Sequence, residues 1–478
     1  MANSTTNSSI NNEERIMLAC QAIARKNISE LARNYNTNRG FVYNQRDKAS
    51  QILHEHFNTS ESNEPVLVLN KEFLERTIIG CMVICKGSTE DTQEFLREIY
   101  GINTSTGNIS NIINRAADKA KEFNKSIPLN QIKVGAHDEI FQAGNPVLVG
   151  VDVYSTFVYL MQATDTRDST DWGLALLDKV DQGLNLDTSV NDGATGLKKG
   201  LKEAFPNVNI QSDVFHAVYK LSLGIATLER SAYKAIDRAY DFETKCLKAF
   251  DKNKDKYLDK YEKAQTESNE AIVIYDRANI LYQWIREALE IGGSSFEERI
   301  YNLEYTVQEL SLLPKKNLYL EKGIKYLSEH KEGLLYFVKA SHEALNVLAQ
   351  EEDIDRHALE LMWEQYTYPE ESPVYNILEC KIGQLLREKY VYIRKKFSQL
   401  MSKIVRASSI VECINSLIRP YLFLKRVVGN KFLDLLQCYF NTREYKRSRI
   451  SERMGKSPIE LLTGKGYPDF LEVLGYQI

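Results

Sequence analysis

The chain has 478 residues, 43% hydrophobic and 26% charged, with 24 glycines and 10 prolines, the composition of an ordinary soluble protein with room for two to four domains. No apolar run approaches the ~20 residues of a membrane span, and no basic-then-apolar leader opens the sequence. The net charge of -4, taken alone, argues against a nucleic-acid protein.

The distribution of charge says more than its sum. Lys381–Ile478 carries 19 Lys+Arg against 8 Asp+Glu, a balance near +11, and the acidic excess lies elsewhere. A basic segment on an acidic chain confines a DNA-handling surface to one face; solvated basic helices give the same count over shorter stretches. The seven cysteines are scattered without a CxxC pair, and read as free thiols of a reducing cytosol.

The first twelve residues are rich in Asn, Ser and Thr and read as a disordered tail. Glu13 to Leu53 reads as three short helices. Ile28-Ser-Glu-Leu-Ala32 is followed by a polar turn and by Thr37-Asn38-Arg39-Gly40-Phe41-Val42-Tyr43. A small Ala lets the next helix pack close. That helix opens with Thr37, Asn38 and Arg39, which cap it and, with Tyr43, reach a major groove. This is a helix-turn-helix pattern. A second unit follows over Leu74 to Phe123. A capped helix carries Phe95, Leu96, Ile99 and Tyr100 and ends at Gly101, and another opens at Thr104, Thr106 and Asn108. Two such units in tandem suit a grip on an extended DNA end; a helical packing or dimerisation module gives the same signal.

The period then changes. Ile132 to Gln142, Pro146 to Val153 and Thr156 to Ala163 are short, apolar and β-branched, with a turn at Ala143-Gly-Asn-Pro. A helix over Ser169 to Val180, a strand at Thr188 to Val190, a helix over Ala194 to Phe205 and a strand near Val208 to Gln211 complete the order β-β-β-α-β-α-β. Three meandering strands followed by crossovers describe an RNase H-like sheet flanked by helices. From Ala217 to Ser409 the sequence is amphipathic helix throughout, broken at Gly292-Gly293, Pro314 and Thr367 to Pro373. A last segment opens with a helix over Ile410 to Ile418.

Phosphoryl transfer on DNA with two metal ions needs three converging carboxylates, because Mg²⁺ is a hard cation that prefers oxygen. Asp138 lies in the first strand, Asp192 just beyond the fourth, and Glu412 on a late helix where Asn415 and Arg419 share its face. In an RNase H-like sheet the first and fourth strands are neighbours. Asp152 ends the second strand and competes for the first acid. Glu139 points to the opposite sheet face from Asp138, since side chains alternate along a strand.

These motifs resemble the DDE transposases. They are the acidic pair in the first strand, Asn191-Asp192-Gly193-x-x-Gly196 followed by a helix and Phe205-Pro206, and Glu412-x-x-Asn415-Ser-x-x-Arg419. Asp213-x-x-His216 matches the [C/D]-x-x-H motif of Mutator-like, hAT-like and related bacterial insertion-sequence groups, some of which carry an all-helical insertion between the second and third acids. The resemblance covers roughly Ile132 to Val218 and Ser408 to Leu462.

The resemblance implies an α/β plus all-α chain, an RNase H-like mixed sheet interrupted by a large helical insertion and preceded by helix-turn-helix modules. The layout would be a tail over 1–12, a DNA-binding domain over 13–60, a second over 70–128, a catalytic core over 130–216 and 409–478, the latter with basic C-terminal helices, and the insertion over 217–408. Asp138, Asp192 and Glu412 would hold two Mg²⁺ or Mn²⁺ ions, with Asp213, His216 and Asn415 orienting them. The partners would be DNA (the element's terminal repeats and target DNA) and a second copy of the chain in a dimer or higher oligomer. The setting would be the cytoplasm and nucleoid of a prokaryote. Arg419 would meet DNA, and the cluster Lys446, Arg447 and Arg449 suits a DNA backbone, with a solvated helix face as the alternative. Trp363 resembles the aromatic that some hAT-like enzymes stack on a flipped base, but its place beside Leu361 and Met362 favours an ordinary core Trp. A domesticated, non-catalytic DNA-binding protein and an RNase H-like nuclease without strand transfer are the competing readings.

Overall fold

The computed structural model describes residues 10–24, 26–57, 69–249, 251–314, 317–425, 428–448 and 450–476. The expected tail over 1–12 therefore lies outside the described residues as far as residue 9, and so does Arg449. The chain divides into two compact units, Met1–Asn70 and Lys71–Ile478.

The first unit is three helices, α1 (Asn12–Ile23), α2 (Ile28–Asn34) and α3 (Arg39–Phe57). Asn11 and Glu14 cap α1 reciprocally, so the chain is already ordered at the end of the expected tail. Asn27 caps α2. Asn36 makes the turn into α3 with φ 46°, a left-handed conformation that asparagine tolerates. Leu18, Ala22, Leu31, Ala32 and Val42 form the small core.

The second unit begins with α4 (Lys71–Ile79), which widens into one π turn over Gly80–Ile84, and continues with α5 (Thr89–Tyr100) and α6 (Thr106–Ser126). The Ser88–Asp91 capping box starts α5 and Gly101, at φ 65°, ends it. The sequence treats 70–128 as a module of its own, and here the structure differs. Ile78, Leu96, Ile112 and Ala116 belong to the same apolar cluster as sheet residues Ala136, Ile140 and Val149. The reason is the length of α6's apolar stripe, Ile109, Ile112, Ile113, Ala116, Ala117 and Ala120, which is all buried. A stripe of three turns exceeds what α5 alone covers.

The sheet has five strands: β1 (Val134–Gln142), β2 (Asn145–Asp152), β3 (Val158–Ala163), β4 (Thr188–Asn191) and β5 (Asn209–Ser212). Their spatial order is β3-β2-β1-β4-β5. The β1–β2 and β2–β3 pairs are antiparallel, while β4 runs parallel to β1 and to β5. Ala143 and Gly144, both at positive φ, close the β1–β2 hairpin in two residues, which is why the pairing starts at Gln142↔Asn145. The helices α7 (Ser169–Val180) and α8 (Thr195–Ala204) follow β3 and β4. They approach closely at Gly200, where a Cβ would stand 2.6 Å from the Trp172 Cβ. On that face Leu148, Leu160, Trp172, Leu176, Leu197 and Leu201 are buried together.

Helix α9 (Val214–Lys248) starts directly after β5. It runs unbroken through the expected insertion boundary at 217. After it come α10 (Asp251–Ala288), α11 (Phe296–Leu312), α12 (Leu318–Glu351), α13 (Arg356–Gln365), α14 (Pro373–Leu386) and α15 (Tyr390–Ser402). They share an apolar cluster separate from those of the sheet. Among the described residues the segment contains no strand. The chain then returns to the sheet with α16 (Ser409–Leu424) and α17 (Asn430–Thr442), whose Ile414, Ile418, Leu433 and Leu436 cover the second sheet face, and ends with the short α18 (Pro458–Thr463) and α19 (Phe470–Val473). Among the described residues no helix is long and apolar enough to cross a membrane.

Candidate functional site

Alternation along β1 sends Ala136, Asp138 and Ile140 toward α16 and His137 and Glu139 toward α7. Asp138 therefore faces the first two turns of α16, where Glu412 and Asn415 lie. The Asn415 amide, fully buried, donates to Asp138 Oδ2 at 2.7 Å, and the Glu139 N–H donates to Oδ1 at 2.9 Å. Asp192 reaches the same place because β4 is the parallel neighbour of β1. Burial pushes the Asp138 carboxyl up to about 7, and the charges of Glu412, Asp192 and Glu139 act in the same direction against the Glu139 N–H bond. Asp192 and Glu412, from two distant stretches of sequence, thus act electrostatically on the Asp138 carboxyl.

The Asp192 turn is built by its neighbours. Asn191 Oδ1 accepts from Gly193 N–H at 3.0 Å and Asp192 Oδ1 from Ala194 N–H at 3.0 Å. Gly193 sits at φ 89°, and a Cβ there would lie 2.5 Å from His330 Nε2. Only glycine satisfies both conditions. From α12, Tyr326 donates its hydroxyl to the Asp192 carbonyl at 2.8 Å. Its ring stacks on His330 at 4.3 Å, and Lys220 Nζ lies 4.0 Å from the ring centroid. The helical segment between the second and third acids therefore takes part in the site. Tyr326→Phe removes one hydrogen bond worth about 1 kcal/mol. A loss of about 1 kcal/mol in denaturant unfolding is the expected result, read against the wild type under the same conditions.

Asp213 caps α9 through His216 N–H at 2.9 Å. Its other oxygen accepts from Ser408 N–H at 2.9 Å and from the Ser408 hydroxyl. Val214 N–H donates to the Arg406 carbonyl at 2.9 Å beside it. Asp213 is thus a buried tie between the start of the helical segment and its return at α16. His216 lies edge-on to Tyr326 at 5.9 Å. Burial and Lys220 lower its pKa, while Asp192, Asp213 and Glu412 oppose them.

The remaining expectations divide. Asp152 is 3% exposed and accepts from Ser155 N–H and Oγ at the turn after β2, which removes it as the first acid. Glu139 is on the opposite face, 3.9 Å from Arg167, and burial, then Asp192, pushes its carboxyl up. Trp363 is 1% exposed, edge-on to His342, and is a core residue rather than a base platform. In the first unit, Arg39 and Tyr43 are exposed at the start of α3, but the Asn38 side chain is occupied as the cap of Phe41 N–H. Thr37 Oγ1 is buried without a partner among the described residues. At the start of α6, Thr106 and Asn108 are exposed, and Thr104 Oγ1 accepts from the Asn108 amide. Lys446 and Arg447 are exposed on a loop closed by a Tyr445–Met454 bridge, outside the single 3-10 turn of that loop, Ser451–Arg453. Arg419 is 3.2 Å from Glu412.

His137, Tyr326, His330, Lys198 and Lys220 escape sequence reasoning. His137 is buried between Ser189 Oγ and Tyr159 Oη, and burial holds it at about 3, so it stays neutral as a scaffold of β1 and β4. Oxygen donors predominate at the acids, and the buried Asn415 Oδ1 has no partner among the described residues, a donor set suited to a hard divalent cation. As they stand, however, no three His, Cys, Asp or Glu side chains among the described residues are arranged to hold a metal ion, and Glu412 is turned onto Arg419.

No family model matches the chain, and no curated protein matches it in sequence. Among solved structures the chain is similar to one described as the Drosophila P element transposase strand transfer complex, with a TM-score of 0.25 and 8% identity over 87% of this chain and 96% of that one; at that level the likeness fixes neither fold nor activity.

Proposed function

We propose that the chain is a DDE-type transposase whose catalytic core is an RNase H-like sheet. The observation that carries this reading is the gathering of three acids at one place. β4 beside β1 brings Asp192 to Asp138, and the Asn415 bond sets α16, with Glu412, against it. Burial first, and then the charges of Glu412 and Asp192, bring the Asp138 carboxyl to about 7. Carboxylates gathered at one place repel one another, and a divalent cation relieves that repulsion. A purely structural site has no reason to accumulate them.

Two Mg²⁺ or Mn²⁺ ions, held by Asp138, Asp192 and Glu412, would supply Lewis-acid activation of water or of a 3′-hydroxyl and stabilise the leaving oxygen. Glu412 must turn from Arg419 toward Asp138 to join them, a side-chain rotation open to a half-exposed residue on a helix surface. The chain's own groups do the rest. Asn415 fixes Asp138, Tyr326 and the Gly193 turn fix Asp192, and Asp213 fixes the start of the helix that carries Glu412. His216, beside the acids, orients the site. The exposed Arg39 and Tyr43 of α3 would read element-end DNA. Cleavage and transfer follow by in-line displacement without a covalent protein intermediate, in a dimer or larger assembly that bridges two DNA ends.

The experiment is cleavage of labelled duplex from the sequence flanking the coding segment, with Mg²⁺ and with EDTA, followed by a search for joining of the cut end to a second DNA. Cleavage and joining that require metal support the reading. Cleavage without joining reduces it to a nuclease, and binding without cleavage to a DNA-binding protein.

A further inference from the structure

A second feature lies beside the acids. Helices α8 and α12 enclose a groove of about 630 Å³ lined by Lys198, Lys199, Lys202 and Lys331, with Thr195 at the start of α8. His330 joins it to the acidic site, since the same imidazole that borders the groove packs against Gly193. Two carboxylates, Glu329 and Glu332, also line it, so four ammonium groups face two acids. Lys331 is paired with Glu304, and Lys202 donates to the Val208 carbonyl at 2.5 Å. Lys198 and Lys199 make no hydrogen bond or ion pair among the described residues. Lys198 Nζ lies 3.4 Å from the position a Gly193 Cβ would take, so its charge sits at the mouth of the Asp192 turn. The first turn of α8 adds its own polarity, because Ala194 offers no side chain to cap its N–H groups.

We propose that this groove holds the phosphodiester backbone of the DNA strand as it passes the Asp192 turn, with Lys198 and Lys199 each neutralising one phosphate. This rests on the DNA reading above and goes beyond it, because the contacts come from a surface that no sequence motif marks. Two Lys ammonium groups on one wall of the groove, beside a helix start that has no side-chain cap, suit a chain of anionic phosphates better than a single carboxylate ligand or an apolar peptide. Residues Ser328 to Gly333 of α12 form the groove's second wall, so the helical segment contributes to it.

The test measures binding of labelled duplex in EDTA against salt concentration for the full chain and for a Lys198→Ala/Lys199→Ala double variant. Each phosphate contact contributes about 0.9 to the slope of log affinity against log salt, so the variant's slope is expected to be shallower by about 1.8. A Lys198→Arg/Lys199→Arg variant retains the wild-type slope. A single Lys199→Ala change, at an exposed position, serves if the double variant melts early, with an expected loss of about 0.9. An unchanged slope in the alanine variants overturns the groove. A slope that falls in a protein that never cleaves DNA overturns the catalytic reading and leaves the groove standing. Failure of the wild type to bind duplex at low salt overturns both.

Discussion

Asp138→Asn is expected to abolish metal-dependent cleavage and, in EDTA, to make the protein more stable at pH 8 than the wild type. The carboxyl titrates near 7 in the fold and near ~3.9 when unfolded. The folded state therefore binds the extra proton between these values. The stability this proton contributes is fully present below about pH 4 and is lost as pH rises through about 7. Three pKa units correspond to at most ~4 kcal/mol, and the partly open position of Asp138 reduces this to the order of 2–3 kcal/mol. Asparagine cannot ionise and keeps an oxygen for the Asn415 amide. Thermal melts of both proteins from pH 5 to pH 8, with EDTA and with Mg²⁺, check this. The wild type should lose stability with rising pH and regain it with Mg²⁺, while the variant should do neither. Under the proposed function cleavage should fall by about 10³-fold or more, since a carboxylate that would hold the ions supports several kcal/mol of transition-state charge.

Asp213→Ala carries the second large effect, this time on the fold. One buried carboxylate accepts from His216 N–H, Ser408 N–H and the Ser408 hydroxyl. Hydrogen bonds to a charged group contribute about 1.5–3 kcal/mol each and a helix cap about 1 kcal/mol, without simple additivity. A loss of about 3–5 kcal/mol in denaturant unfolding is expected, because Ser408 N–H is left buried and unpaired. Asp213→Asn should be nearly as damaging. Its amide can still cap α9, but it sets an NH₂ against the donors of Ser408. Because Ser408 immediately precedes α16, residual protein should lose more cleavage than DNA binding.

These effects also mark what could be read in the sequence. The sheet was legible because its signals are local. The Ala143-Gly144 turn, the β-branched runs and the Asn-Asp-Gly turn each constrain a few consecutive residues, and the α7 bounds expected from the sequence are those observed. The pairing of the strands carrying Asp138 and the approach to Asp192 follows from that order. The placing of Asn415 beside Glu412 was legible from the helical spacing of three, but its bond to Asp138 was not. What escaped is contributed across long separations. Tyr326 is 134 residues from the carbonyl it holds, and nothing local distinguishes it among 27 tyrosines. The continuity of α9 past residue 217 was hidden because a helix carries no mark where its surroundings change from sheet to bundle. The second helical module was read as independent because capping boxes report where helices start and say nothing of what covers their apolar faces. Trp363 was legible as a core residue from its apolar neighbours Leu361 and Met362, and it is buried with them.

The central claim is that Asp138, Asp192 and Glu412 act as one metal-dependent set. Asp192 tests it most directly, because its backbone is held by Tyr326 and the Gly193 turn whatever its side chain. With labelled DNA and Mg²⁺, Asp192→Ala should bind duplex as the wild type does and cut it about 10³-fold more slowly. Cleavage by Asp192→Ala at the wild-type rate would contradict the account.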